Sequence, residues 1–118
     1  MTAILDRKTY GAGDVIFTEG ERADVAYIIQ EGLVALSKQR DGQEVELDLV
    51  EANGIFGEVA LIDDMPRMVS ARALEPSPVV VISRRVFKDK LEGTDPFIRG
   101  LLNMFAANTR KLSRMAAS

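Results

Sequence analysis

The sequence predicts an α+β domain, an antiparallel β-roll followed by helices, and three observations carry that prediction. Short apolar stretches separated by Gly, Pro and Asp fill the first two-thirds of the chain, the pattern of a sandwich or barrel. The dipeptide Asp41-Gly42 stands between two strand-like runs, a strong hairpin signal. From Val86 onward the apolar spacing lengthens from two residues to that of a helix. A chain of 118 residues, 47% apolar and 28% charged, is large enough for its own core and too apolar to be disordered. We therefore read 1–118 as one domain, with the β-roll over about 10–83 and C-terminal helices over about 84–116.

The elements follow in order. Gly11, Gly13 and Asp14 lead into the apolar stretch Val15–Phe17, and Gly20-Glu21 turns the chain toward a strand over Ala26–Gln30. Gly32 separates that strand from Leu33–Ser37. Across the Asp41-Gly42 hairpin, Val45, Leu47 and Leu49 alternate with Glu44, Glu46 and Asp48, so the strand Glu44–Val50 should have one wet face. A helical turn over Phe56–Ile62 interrupts the strands, and Ser70–Ala73 and Val79–Ile82 complete them. Pro76 and Pro78 fall between those two, where a missing N–H does no harm. Val86, Phe87, Lys90 and Leu91 suit a short helix ending at Gly93, a natural residue just past a helix end. Asp95 followed by Pro96 starts another. In it Ile98, Leu101, Leu102, Phe105, Leu112 and Met115 fall broadly on one face, and Arg110, Lys111 and Arg114 suit the negative end of the helix dipole.

Composition narrows the function. The chain has no Cys, so disulfides, thiol catalysis and Cys-based metal sites are excluded. It has no His, which removes the commonest general base and imidazole metal ligands. A binding domain without a metal is expected, rather than an enzyme. The net charge of −3, with no basic stripe beside a reading helix, argues against direct nucleic-acid binding. Apolar runs are too short to span a membrane and the N-terminus lacks a signal peptide's pattern, so the expected location is the cytoplasm.

The segment Ile55–Ala73 holds the chemistry. It places a Gly, a carboxylate, an apolar helical turn, a Pro-Arg pair and a small hydroxyl residue close together. A helix opening at Gly57 would leave its first N–H groups unpaired at its positive end, a cradle for phosphate on the amides of Gly57, Glu58, Val59 and Ala60. Gly57 lets a ligand approach the backbone closely. Arg67, after Pro66, supplies a fork of donors to phosphate oxygens that Lys would supply only as a point charge. Ionised Glu58 only accepts, so its natural partner is a sugar hydroxyl. A sugar bearing a cyclic phosphate diester meets these needs together.

The run Ile55–Ala73, with Gly57-Glu58 followed by Pro66-Arg67, resembles the phosphate-binding cassette of the cyclic nucleotide-binding domain family, which includes kinase regulatory subunits, gated channels and catabolite-activator-type regulators. The likeness extends to Tyr10–Glu21, Ala26–Leu36 and Val79–Phe87, so it covers the chain from about Tyr10 onward. It implies a jelly-roll fold, with ligand contacts from Phe56, Gly57, Glu58, Val59, Ala60, Pro66, Arg67, Met68 and Ser70. It implies a regulatory module whose ligand is cyclic AMP, cyclic GMP being the less favoured. Met68 departs from the pattern, since relatives place a small or hydroxyl residue directly after the arginine; Val69 adds bulk beside it. The C-terminal helix has three open readings: a cover for the roll, a cap in which Ser113 or Arg114 faces the base, or a homodimer seam. Because no helix-turn-helix follows, output is expected through a dimer, an effector protein or a further part of the gene product. A scaffold of the same fold that has lost the ligand, or a sensor of another small anion, are the alternatives.

Overall fold

The computed structural model describes residues 6–116; the outer ends of the sequence lie outside them. Two four-stranded antiparallel sheets face each other. The first has the order β1 (Asp6–Tyr10), β8 (Ser77–Ser83), β3 (Val25–Ile29), β6 (Ile55–Phe56). The second has the order β2 (Val15–Phe17), β7 (Ser70–Ala73), β4 (Val34–Arg40), β5 (Gln43–Val50). Helix α1 (Val59–Asp63) interrupts the strands, and α2 (Arg84–Glu92) and α3 (Pro96–Ala116) follow them. The β-roll with C-terminal helices expected from the sequence is the fold observed.

The core between the sheets is built from Phe17, Tyr27, Ile29, Val34, Phe56 and Val79, all buried, with alanines filling the closest approaches. Asp41 and Gly42 both take positive φ, 50° and 79°, and join β4 to β5 as a two-residue hairpin. Ser83 caps α2 by accepting from Val86 N–H at 3.2 Å, and Asp95 caps α3 by accepting from Phe97 N–H at 2.7 Å, as its place before Pro96 implies. Gly93 ends α2 with φ of −77°, without the left-handed turn expected of it.

Four features differ from the sequence reading. Strand β1 begins at Asp6, ahead of the roll boundary at about 10; its four polar residues carry no apolar alternation and pair with β8 at the sheet edge. Pro78 lies inside β8, one residue from its start. In β5 the pairing passes from Leu36 with Asp48 to Ser37 with Glu46, leaving Leu47 as an extra residue in a β-bulge. The bulge breaks the alternation, so Leu49 is exposed and Val50 buried. The packing of α3 is reversed. Its buried residues are Ala106 and Ser113, flanked by half-buried Leu102 and Arg110, while Ile98, Phe105, Leu112 and Met115 are exposed. The apolar face points away from the roll.

Ion pairs hold the helices to α1. Arg110 of α3 makes a two-pronged pair with Asp63, its Nη2 at 2.9 Å from Asp63 Oδ1 and 2.9 Å from Pro66 O. Asp64, with φ of 57° at the end of α1, receives Arg84 and Lys88 of α2.

Candidate functional site

The site is an open cleft with a cavity volume of about 140 Å³. Its floor is Phe17, Phe56 and Val50, one wall is Gly57–Ala60 with Arg67, Met68 and Val69, and Thr109 of α3 stands over it. A second hollow continues from it, sharing Leu36, Asp48, Met68, Val69 and Thr109 and reaching Ser113 and Ala116.

Gly57 has φ of +78°, so it cannot be helical, and α1 begins two residues later than expected, with Glu58 at the N-cap position. A Cβ on Gly57 would lie 2.8 Å from Arg67 Nη1 and 3.2 Å from the Phe17 ring. Only glycine fits this backbone and this contact. The Glu58 side chain does not cap the helix. Burial raises its pKa above the ordinary glutamate value, with its own backbone N–H and Arg67 pulling the other way. Its Oε2 is buried with no hydrogen-bond partner. A raised folded pKa means that the free protein loses stability as pH rises from the unfolded value through the folded one. A ligand hydroxyl donated to the carboxylate would reverse that penalty.

Arg67 is 5% exposed. Its Nη1 donates to Gly57 O at 2.7 Å and its Nη2 to Val25 O at 2.7 Å. The guanidinium lies 4.0 Å over the Phe17 ring, a favourable cation–π placement. The backbone on either side is clamped as well: Arg67 N–H donates to Glu21 O and Gly20 N–H donates to Arg67 O, both at 2.8 Å. Burial lowers its pKa, while the charges around it, Glu21, Asp24 and Glu58 among them, push it back up. Two of the guanidinium's five N–H donors are thus engaged, and Nε is buried without a partner. Glu58 and Arg67, which both line the cleft, thus each carry a buried atom without a partner, an acceptor on one and a donor on the other. Leaving either buried group unpaired is costly.

Of the nine residues singled out in the sequence, Phe56, Gly57, Glu58, Val59, Ala60, Arg67 and Met68 line this cleft. Two do not. Ser70 belongs to a hollow on another face, with Thr18 and Arg72, and its hydroxyl accepts from Glu19 N–H at 2.9 Å. Ser70 opens β7, in which Ala71 and Ala73 are buried, so alternation puts it on the outer face with Arg72. Pro66 lines a third hollow with Arg84, and its carbonyl accepts from Arg110. Of the two candidate capping residues, Ser113 is buried toward the second hollow with its hydroxyl unpartnered, and Arg114 is exposed. Asp48, Thr109 and Phe17 were not foreseen. Periodicity put Asp48 on the wet face, and only the bulge brings it to the cleft. Among the described residues no helix is long and apolar enough to cross a membrane, and no cluster of potential metal ligands occurs.

Comparison with known proteins agrees with this geometry. The profile of the cyclic nucleotide-binding domain matches residues 7–94. The anaerobic regulatory protein of Bacillus subtilis is 29% identical over 110 residues, 92% of this chain and 44% of that protein. A CRP-like cAMP-activated global transcriptional regulator of Mycobacterium tuberculosis is 27% identical over 118 residues, 99% of this chain and 53% of that protein. The chain thus spans about half the length of these curated relatives. Among solved structures, the EAL enzyme Bd1971 superposes with a TM-score of 0.88 in its cAMP-bound form, at 28% identity, covering 95% of this chain and 30% of that one. Its cGMP-bound form gives 0.86 at 29% identity, covering 94% and 30%. Sequence, fold and cleft converge, and the chain belongs to the cyclic nucleotide-binding domain family.

Proposed function

We propose that the chain is a cyclic AMP sensor whose output passes through a second copy or an effector protein. The observation that carries this is that Glu58 and Arg67, each with a buried unpartnered atom, line one cleft beside Gly57. A cyclic nucleotide satisfies both: its ribose 2′-hydroxyl donates to Glu58, and its phosphate accepts from Arg67 and the Gly57–Ala60 amides. Isothermal titration with cyclic AMP, cyclic GMP and 5′-AMP tests it. Heat with a cyclic nucleotide supports the sensor; silence with all three returns the chain to a scaffold of the same fold.

Removing the 2′-hydroxyl from the ligand, or Glu58→Gln, should each cost about 1–3 kcal/mol of binding, and the two losses should be strongly non-additive. Affinity should also weaken as pH falls through the raised pKa of Glu58, because the hydroxyl favours the ionised carboxylate. A 2′-deoxy ligand that binds as well as its parent would return Glu58 to an ordinary helix-start residue.

Met68 lines both hollows and carries no hydroxyl for a guanine 2-amino group. The wild type should therefore favour cyclic AMP or discriminate little. Met68→Thr should raise cyclic GMP affinity relative to cyclic AMP by several-fold, the scale of a neutral hydrogen bond of about 0.5–1.5 kcal/mol. A shift of the ratio toward cyclic AMP would place Met68 away from the base.

The outward face of α3 supports a homodimer. Ile98, Leu101, Phe105, Asn108, Leu112 and Met115 recur at alternating spacings of three and four, a heptad seam with one polar position. Such a seam covers the apolar side chains that the roll leaves exposed, Phe105 at 59% and Leu112 at 63%. Sedimentation equilibrium should give a dimer, and Phe105→Glu a monomer that still binds nucleotide. A wild-type monomer at all concentrations would remove this part of the proposal.

A further inference from the structure

We infer that Asp48 reads the base, selecting a cyclic purine nucleotide with an amino group at position 6 over one with an oxygen there. The inference rests on the sensor reading above and adds the group that decides base identity. Asp48 reaches the cleft only because the bulge at Leu47 breaks the β5 alternation, and it borders both hollows. With phosphate and sugar held at Gly57–Ala60, Glu58 and Arg67, the base extends into the second hollow, toward α3. The polar groups met there are Asp48, Thr109 and Ser113. The Thr109 hydroxyl already donates to Phe105 O at 2.8 Å, so toward a ligand it can only accept. Ser113 is 93% buried by its 7% exposure, and its hydroxyl has no partner. Such a group awaits a hydrogen bond.

The Asp48 carboxylate is acceptor-only, and its Oδ1 already accepts from Leu49 N–H at 2.8 Å. Oδ2 is the less engaged oxygen and the one offered to a ligand. A guanine presents adjacent N1–H and 2-amino donors that call for a two-oxygen carboxylate, and its 6-oxygen is a second acceptor. An adenine presents one amino group beside a ring nitrogen. Asp48 Oδ2 accepting from the 6-amino group, with Ser113 donating to the neighbouring ring nitrogen, pairs an acceptor and a donor as an amide side chain does on an adenine edge. A 6-oxo purine would set two acceptors against each other, and the site would disfavour it through that repulsion.

The test is titration of the full chain with cyclic AMP, cyclic IMP and the cyclic monophosphate of unsubstituted purine riboside. Wild type should bind cyclic AMP about tenfold or more tighter than either analogue, the scale of one hydrogen bond to a charged group. Asp48→Ala should bring all three within about threefold of each other, by weakening cyclic AMP and relieving the opposition to cyclic IMP. Asp48→Asn, whose amide also donates, should improve cyclic IMP relative to cyclic AMP. The exposed strand position of Asp48 lets both variants fold, which a denaturation midpoint confirms. Unchanged ratios in both variants, with binding still dependent on Arg67, would overturn this inference and leave the sensor reading standing. Binding of no cyclic nucleotide by wild type would overturn both.

Discussion

Arg67→Ala should lose at least tenfold in cyclic AMP affinity and part of its stability as well. The binding loss follows from removing a charge-assisted donor set from the phosphate end of the cleft, a contact of about 1.5–3 kcal/mol or one to two decades of affinity. The stability loss follows from the residue's other partners. Gly57 O and Val25 O would lose their donors, and the Phe17 ring its guanidinium. Each buried carbonyl left unpaired costs about 1–3 kcal/mol. Arg67 therefore joins fold and site: it ties the loop at Gly57 to β3 and lines the cleft as well. Arg67→Lys should restore only part of the affinity, since one ammonium cannot serve both carbonyls and a phosphate with the same fork. Chemical denaturation of each variant separates the folded fraction from the affinity of what is folded. Wild-type affinity in a fully folded alanine variant would remove Arg67 from the site, and the cassette assignment with it.

The parts of the site legible in the sequence are those contiguous in it. Phe56 to Arg67 is twelve residues of one loop, and their residue types alone specify an anion, a hydroxyl and a close backbone approach. The hairpin at Asp41-Gly42 and the start of α3 at Asp95-Pro96 are local in the same sense, each set by one or two residues with restricted backbones. What periodicity could not supply depends on pairing between distant segments. The bulge at Leu47 exists only in register with β4, so simple alternation put Asp48 on the wrong face. Ser70 lies close to Arg67 in sequence, yet β7 had already begun and turned it outward. On α3 the sequence leaves the larger apolar stripe open between a cover for the roll and a seam for a second copy. The roll instead accepts the small side chains Ala106 and Ser113, with Arg110 anchored on Asp63. Amphipathicity shows that a face will be covered, and not by what.

Phe56→Ala should be the most destabilising single change at the site. The ring is 1% exposed, stacked on Tyr27 with centroids 4.9 Å apart and planes 14° from parallel, and 6.2 Å from Phe17. Truncating a buried Phe costs about 3–5 kcal/mol, a large share of the roughly 5–15 kcal/mol that holds a domain together. The cavity cannot close easily, because Phe56 pairs with Tyr27 in the short β6–β3 ladder and is followed by the left-handed turn at Gly57. The loss should appear as a lower denaturant midpoint with an unchanged slope, and Phe56→Leu should lose distinctly less by keeping most of the volume. The same change reaches the ligand. Phe17, freed on one side, is the ring beneath Arg67, so cyclic AMP affinity should fall even in the folded fraction. A ligand at a hundredfold its Kd adds about 2.7 kcal/mol of stability. Measured at one fixed concentration of cyclic AMP, the variant should therefore gain less stabilisation than the wild type. Equal gains would mean that the stack supports the fold without positioning the cassette, and an unshifted midpoint would mean that it supports neither.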